Sequence, residues 1–471
     1  MLEKRSLLVM KFGGTSVGTV AAMQQAVEII RDARRDWREL VVVVSALAGI
    51  TNLLIDSAVR AARGDLTTFH AAVCQLNDRH HEMAETLVDD LARKHQLHQE
   101  INYLIADFSN LCQAIHVLGE ASPRALDAVA SLGERLSARI LASAVESAGI
   151  TASLVESTQL IITDDHFTNA VPDMAFTTQR TRQVLRPLLQ AGRVPIVTGF
   201  IGSTPSGLTT TLGRGGSDYS ASILAVALGA GEVWIWTDVD GVMTADPRLV
   251  PDARTIPVLS YREVAEMAHF GAKVLHPKSI HPVIEAGIGL RVCNTFNPSG
   301  PDTRLVNDTQ PEHNGAIRAI TAIRGLQLVT LSGRGMLGVP GVAGRIFSAV
   351  ATTGISVPLI IESTSEQAIC FPAPKESVPE VIQTLHKHLS TEFQRRDIES
   401  VVASDDVDII TVVCPGLRVT PGVAGQIFGV LGNAGINVLG ISFGASDVSI
   451  NLIVSASDTH NAVRVLHALV K

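Results

Sequence analysis

The sequence predicts an α/β chain: a mostly parallel αβα sandwich over residues 1–306, followed by two ferredoxin-like βαββαβ units. Three observations predict it. Strand-like and helix-like segments alternate from the N-terminus to about residue 294, the order that builds a parallel sheet with helices on both faces. A stretch from Thr295 to Gly315, rich in Pro, Gly and Asn, then breaks the pattern. Beyond it, Pro-Gly-Val-Ala-Gly-Arg-Ile-Phe at 340–347 recurs 81 residues later as Pro-Gly-Val-Ala-Gly-Gln-Ile-Phe, and the match runs on to Gly354-Ile355 and Gly435-Ile436.

In chain order, Leu7 to Met10 is a short apolar strand, followed by a helical pattern with Val20, Met23, Val27 and Ile30 three or four apart. Leu40 to Ser45 is a β-branched strand. Residues 53–118 read as a polar helical insertion, and Pro123 to Ala148 as another helix. Strands follow at Ser153–Val155, Val194–Thr198, Glu232–Thr237 and Leu290–Cys293, with helices near 176–191, 217–229 and 260–285. After the linker, the first repeat reads 326–331, 341–353, 356–361, 367–372, 377–389 and a closing strand at 398–403. The second reads 407–413, 422–434, 437–443, 447–454 and 458–470, and lacks its last strand. The unassigned strand Ala316–Ile323 completes it if one repeat is inserted in the other. The expected domains are therefore 1–306, then 325–403, then 314–324 with 405–471.

Composition narrows the setting. Apolar residues make up 46% with only 4% aromatic, as buried parallel strands require. A net charge of -8 argues against nucleic acid or an anionic membrane as partner. No apolar run reaches the roughly 18 residues of a membrane span. The five cysteines form no Cys-x-x-Cys pair and no secretory leader is evident, so a cytoplasmic, reducing location is expected.

Two glycine loops carry the chemistry. Lys11-Phe12-Gly13-Gly14-Thr15-Ser16 joins a strand to a helix start and adds a lysine. Adjacent glycines let the backbone approach an anion, which helix N-terminal N–H groups favour. The pattern is not Gly-x-x-x-x-Gly-Lys-Ser/Thr. Gly213-Arg214-Gly215-Gly216-Ser217-Asp218 places an arginine, able to grip a carboxylate or phosphate bidentately, at a second helix entry, where Ser217 or Asp218 can cap. Two such loops at separate strand ends would converge on one cleft.

Lys-Phe-Gly-Gly-Thr-Ser-Val at 11–17 resembles the signature of the aspartokinases in the amino-acid kinase superfamily. Similar agreement is found at Ser45-Ala46 with Gly49-Ile50-Thr51-Asn52, at Gly133 to Ser137, at Gly199 to Gly202 and at the 213–218 loop. It continues through Trp236 to Gly241, Thr244 to Arg248 and Phe270 to Pro277. The repeats resemble the paired ACT domains of that family. The resemblance implies transfer of the γ-phosphoryl of ATP, with Mg2+, to the side-chain carboxylate of L-aspartate. The product is 4-phospho-L-aspartate, in the first step of lysine, threonine and methionine biosynthesis. It implies catalytic roles for Lys11, Asp218, Gly13 and Gly14. Aspartate would be bound by Ser45, Thr51, Glu134, Phe200, Arg214 and Ser217, with Glu134 receiving the ammonium and Arg214 the α-carboxylate. ATP would be bound by Lys11, Ser16, Thr237, Asp238, Arg248 and Lys273. Met243 stands where relatives often have an aromatic residue beside the adenine.

The resemblance also implies feedback by threonine or lysine at the ACT units, in a homodimer or dimer of dimers. The effector positions are Met336, Val339, Gly341, Val342, Ala343, Glu362 and Ser363. Ser356 to Glu366 resembles the threonine-responsive branch, which usually has glutamine at the positions of Glu362 and Phe443. A chain ending with the second repeat is expected to be monofunctional, without a fused dehydrogenase. A catalytically silent amino-acid sensor is the alternative, and intact Lys11, Arg214 and Asp218 oppose it. Gly333-Arg334-Gly335-Met336-Leu337-Gly338 fits a dinucleotide fingerprint, but the second repeat lacks these glycines and Pro340 delays the helix. No metal-ligand set is expected from the protein, since His80/His81 and His276/His281 lack supporting ligands.

Overall fold

The computed structural model describes residues 5–269, 275–307, 315–336, 339–363, 367–443 and 446–470. The chain forms two compact units. One comprises 1–242, 257–259 and 275–307, the other 243–256, 260–274 and 308–471.

The first part of the chain runs β1 (Arg5–Phe12), α1 (Val20–Asp36), β2 (Trp37–Val44), α2 (Ile50–Ala62), α3 (Leu66–Leu87), α4 (Leu91–Leu118) and α5 (Pro123–Ser147). It continues with β3 (Ala152–Val155), α6 (Met174–Gln190), β4 (Val194–Thr198), β5 (Ile201–Ser203), β6 (Thr209–Thr211), α7 (Gly216–Leu228) and β7 (Glu232–Thr237). Then come β8 (Val258–Ser260), α8 (Tyr261–His269), α9 (Pro277–Glu285), β9 (Gly289–Asn294) and β10 (Thr303–Val306). The main sheet has the order β3-β4-β2-β1-β7-β9-β10-β8. β1 is flanked by parallel neighbours, β2 and β7. Such strands are covered on both faces, and Leu8 to Met10 and Val41 to Val44 are fully buried. The end of β1 therefore sits centrally, which places Lys11 and the loop after it at the carboxyl edge where ligands collect.

The helical insertion is α2, α3 and α4. Phe69, Leu76, Leu97, Ile101, Leu104 and Phe108 join it to the core under α5. His80 is fully buried there, its Nδ1 2.8 Å from the Leu76 carbonyl. Two details differ from the sequence expectation. The span 260–285 is not one helix: Pro277 opens α9, and the residue before it, His276, is extended at φ -96°, ψ 131°. The β5–β6 hairpin, two three-residue strands around Gly207, was too short to show as periodicity.

The second unit contains β11 (Ala319–Ser332), α10 (Val342–Ala351), β12 (Ile361–Glu362), β13 (Ala368–Pro374), α11 (Val378–His388) and α12 (Ser390–Arg395). β14 (Ser400–Val413), α13 (Val423–Asn433), β15 (Gly440–Ser442), β16 (Ser449–Ser455) and α14 (Thr459–His467) complete it. Its sheet has the order β12-β13-β11-β14-β16-β15 and is antiparallel. The sequence suggested four short strands at 316–323, 326–331, 398–403 and 407–413. They are two strands of 14 residues each, paired from Ala319↔Val413 to Ser332↔Ser400 across register irregularities between Ile323 and Leu326 and between Gln327 and Val329. Gly325, at φ +77°, lies in the first of these. The two repeats thus share one continuous sheet. Ala245 and Val250, from 243–256, join the core of the second repeat beside Ile317, Ile320, Val412 and Leu466.

Candidate active site

A cavity of about 390 Å³ opens beside the end of β1. Lys11, Gly14, Ser45, Thr51, Glu134 and Phe200 line it, with Arg214, Ser217 and Asp218 from the second loop. So nine of the residues named from the sequence surround one space, all from the first unit.

The backbone explains the convergence. Gly14 packs so tightly that a Cβ there would lie 2.9 Å from the Ala46 carbonyl oxygen, and Ala48 N–H donates to the Gly14 carbonyl at 3.0 Å. This holds the 11–16 loop against the loop after β2. Gly215, at φ +66°, forms the N-cap of α7, so neither Ser217 nor Asp218 caps as the sequence suggested. Asp218 lies instead in the first helical turn, where the helix dipole favours its charge. There it meets Lys11, with Nζ–Oδ1 at 2.5 Å and both side chains nearly buried. Phe200 adopts φ +66°, a conformation rare for a side chain of its size. Its N–H donates to Ser220 Oγ at 3.0 Å and its carbonyl accepts from Leu212 N–H, which fixes that backbone.

Glu134 is the polar centre of the cavity. It is 3% exposed, Oε1 accepts the Ala46 N–H at 3.3 Å, and Oε2 has no hydrogen-bond partner among the described residues. Burial pushes its carboxyl up to about 8, against the smaller lowering by the Ala46 N–H. The arginines nearest in sequence are engaged elsewhere: Arg135 and Arg139 pair with Glu156 at 3.3 and 3.1 Å. Arg214 is exposed and forms no ion pair among the described residues. A buried carboxyl and a guanidinium, neither of them ion-paired among the described residues, line one small cavity, and such groups can bind an ammonium and a carboxylate.

Other named positions differ. The Gly13 N–H donates to the Trp236 carbonyl at 3.0 Å, so it is spent on the β1–β7 junction. Ser16 is fully buried, its hydroxyl within 3.2 Å of the Trp236 carbonyl and receiving Thr295 Oγ1 at 2.7 Å; this seals the loop and leaves the Ser16 hydroxyl no free face. Thr237 ends β7 and Asp238 follows it, and the Thr237 hydroxyl donates to Asp238. Arg248 belongs to the second unit and grips Asp246, with Nη2–Oδ2 at 2.7 Å. Lys273 lies outside the described residues.

Among the effector positions, Met336 and Val342 are buried in the core of the first repeat with Ile346 and Phe371, so hydrophobic packing has claimed these side chains. Ala343 packs against the same core. Gly341, at φ +82°, is the N-cap of α10, so what this stretch can present is backbone N–H. Val339 is partly exposed and Glu362 is exposed on the short edge strand β12. The Ser363 hydroxyl accepts the N–H groups of Gln367 and Ala368, closing a turn.

Sequence reasoning missed Leu47 and Ala48 of the cavity wall, which carry no chemical signal. It also missed Asp127. This buried carboxylate accepts the N–H of Thr168 and both the N–H and hydroxyl of Thr211, and so ties α5 to β6.

The fold and this cavity define a member of the amino acid kinase class: the model described as "Amino acid kinase family" matches residues 6–294, and one described as "ACT domain" matches 329–389 and 410–469. The lysine-sensitive aspartokinase 3 of Escherichia coli is 33% identical over 98% of both chains. The chloroplastic bifunctional aspartokinase/homoserine dehydrogenase 2 of Arabidopsis thaliana is 34% identical over 98% of this chain. The chain spans about half the length of that and similar curated relatives, 50% in this case. The crystal structure of E. coli aspartokinase III in complex with aspartate and ADP matches with a TM-score of 0.82, 31% identity and coverage of 98% and 99%. Its complex with lysine and aspartate gives 0.79 at 32% identity, covering 98% of this chain and 99% of that one. The chain belongs to the aspartokinase family.

Proposed function

We propose that the protein is an aspartate kinase that transfers the γ-phosphoryl of ATP to the side-chain carboxylate of L-aspartate, giving 4-phospho-L-aspartate. The observation that carries this reading is the buried Glu134 oxygen, without a partner among the described residues, in a cavity also lined by Arg214, which forms no ion pair among them. The α-ammonium of aspartate satisfies Glu134 and its α-carboxylate satisfies Arg214, which leaves the side-chain carboxylate as the free end. Ser45, Thr51, Phe200 and Ser217 shape the space around it. That carboxylate is ionised at neutral pH, so no general base is needed. Catalysis then rests on position and charge. Lys11, held by Asp218, neutralises the phosphoryl group in flight, and the backbone beside Gly14 receives phosphate oxygens. Mg2+ brought with the nucleotide would add charge neutralisation at the phosphates to that supplied by Lys11.

The chain divides into a kinase domain and two ACT domains near the boundaries set out above. An amino-acid end product, lysine or threonine, binds at the ACT region and lowers activity; the E. coli relative crystallised with lysine supports this reading. Dimerisation and a cytoplasmic location fit the family, and no described helix is long and apolar enough to cross a membrane. The test is acyl phosphate trapped with hydroxylamine, from Mg-ATP and a panel of acidic amino acids. Product from aspartate, lost in Lys11→Ala, is expected. Binding of amino acids without any product would instead make the protein a sensor.

A further inference from the structure

The chemistry assigned to Arg214 needs its backbone held still, yet it lies in an exposed loop between two glycines at φ +77° and +66°. Such a loop has little rigidity of its own. The start of α9 lies directly against it. Lys278 Nζ donates to the side-chain oxygen of Asn169 at 2.8 Å and to the Leu212 carbonyl at 3.4 Å. That Asn169 oxygen is itself packed on the loop, since a Cβ on Gly213 would lie 2.6 Å from it. At the next residue, Ser279 Oγ donates to the Gly215 carbonyl at 2.9 Å, and a Cβ on Gly215 would meet Ser279 Oγ at 2.5 Å. Lys278 also sits 5.5 Å from the centre of the Tyr219 ring on α7. The loop is thus anchored on both sides of Arg214, each time from α9.

We propose that Lys278 and Ser279 are positioning residues that clamp the 212–216 loop and set the placement of Arg214 toward the α-carboxylate of the substrate. The inference rests on the aspartate-kinase reading for its kinetic consequence, while the clamp itself stands on the contacts above. Lys278 is half-buried and absent from the cavity wall, so it acts through the loop and not on the substrate. Its ammonium can be replaced by a guanidinium that still reaches a carbonyl and an amide oxygen, but not by an apolar chain of similar length.

The experiment compares wild type, Lys278→Met, Lys278→Arg, Ser279→Ala, Asn169→Ala and the Lys278→Met/Asn169→Ala pair in the full chain. Two readouts are used. Steady-state kinetics with Mg-ATP and aspartate should show the aspartate KM of Lys278→Met raised about tenfold, the scale of a lost charge-assisted hydrogen bond. Its ATP KM should change less than about twofold, and Lys278→Arg should recover most of the effect. The double variant should resemble Lys278→Met alone, because the two groups act as one unit. Amide hydrogen exchange over 212–219 should quicken in Lys278→Met and Ser279→Ala while the core strands stay protected.

Equal rises in both KM values, or additive effects in the double variant, would overturn the positioning role. Unchanged exchange in the loop would overturn the clamp whatever the activity. If wild type forms no acyl phosphate from aspartate, the kinase reading fails, and the exchange data still decide the clamp. Should Lys278→Met fold poorly, Ser279→Ala carries the same test from the other anchor.

Discussion

At the scale of single residues, Glu134 makes the sharpest demand. With its carboxyl near 8, the ligand-free protein at pH 7 holds it mostly protonated. An arriving ammonium favours the carboxylate, so the proton leaves. Aspartate binding at pH 7 is expected to release protons, measurable by calorimetry in buffers of different ionisation heat. For the same reason kcat/KM for aspartate should rise with pH through about 8. Glu134→Gln should lose that limb and weaken aspartate binding by roughly ten- to a hundredfold; a flat profile in wild type would contradict the assignment. His80 makes a second demand. Burial lowers it from 6.5 to about 4. The unfolded chain therefore takes up the proton first, and folding stability is lost as pH falls from 6.5 toward 4, by up to about 3 kcal/mol. Urea denaturation at pH 7 and pH 4.5 should show this loss, and a His80→Leu variant should show a shallower one.

At the scale of elements, packing between loops decides whether these residues meet. A methyl group on Gly14 would press on the backbone carbonyl of Ala46, which cannot swing aside as a side chain can. Gly14→Ala should cost about 1–3 kcal/mol of stability and lower kcat, since the Lys11 loop must lift; a thermal melt with kinetics on the surviving fold checks both. The sequence made this region legible because its signals are local: a strand, two glycines and a helix start announce a ligand loop wherever they occur. Arg214 and Asp218 were legible for the same reason. The burial of the Ser16 hydroxyl was not legible, because a hydroxyl in such a loop reads alike whether it faces a phosphate or the Trp236 carbonyl. The burial of the Met336 and Val342 side chains was not legible, because a motif shared with relatives does not say which residues turn inward. Lys278 and Asn169 gave no signal, since the contact joins side chains 109 positions apart. The sharing of β11 and β14 between repeats was hidden because a strand of 14 residues with an irregularity in the middle looks like two.

At the scale of the whole molecule, the second unit takes back part of what the sequence assigned to the first. Ala245 and Val250 pack with residues from beyond the linker, Ile320 N–H donates to the Thr244 carbonyl at 2.8 Å, and Thr244 Oγ1 lies 2.9 Å from His467 Nε2. A chain truncated at residue 307 would leave these apolar and polar groups without their cover. It is expected to aggregate or to melt well below the full chain, seen by light scattering and calorimetry. A truncated chain as stable as the full one would show that 243–256 can bury itself elsewhere.

The long shared strands also govern how the chain comes into being. During synthesis β11 emerges first, and every partner it has on β14 follows at least 68 residues later. Until then only the β13 side of β11 can be matched, and the rest of its edge must wait unpaired. The first repeat can close its sheet once Ser400 to Ala403 are made, whereas the Ala319 to Ile323 half of β11 waits for Ile409 to Val413. Mutations in Ala319 to Ser332 should therefore slow the acquisition of the native state more than comparable changes in the outer strand β15.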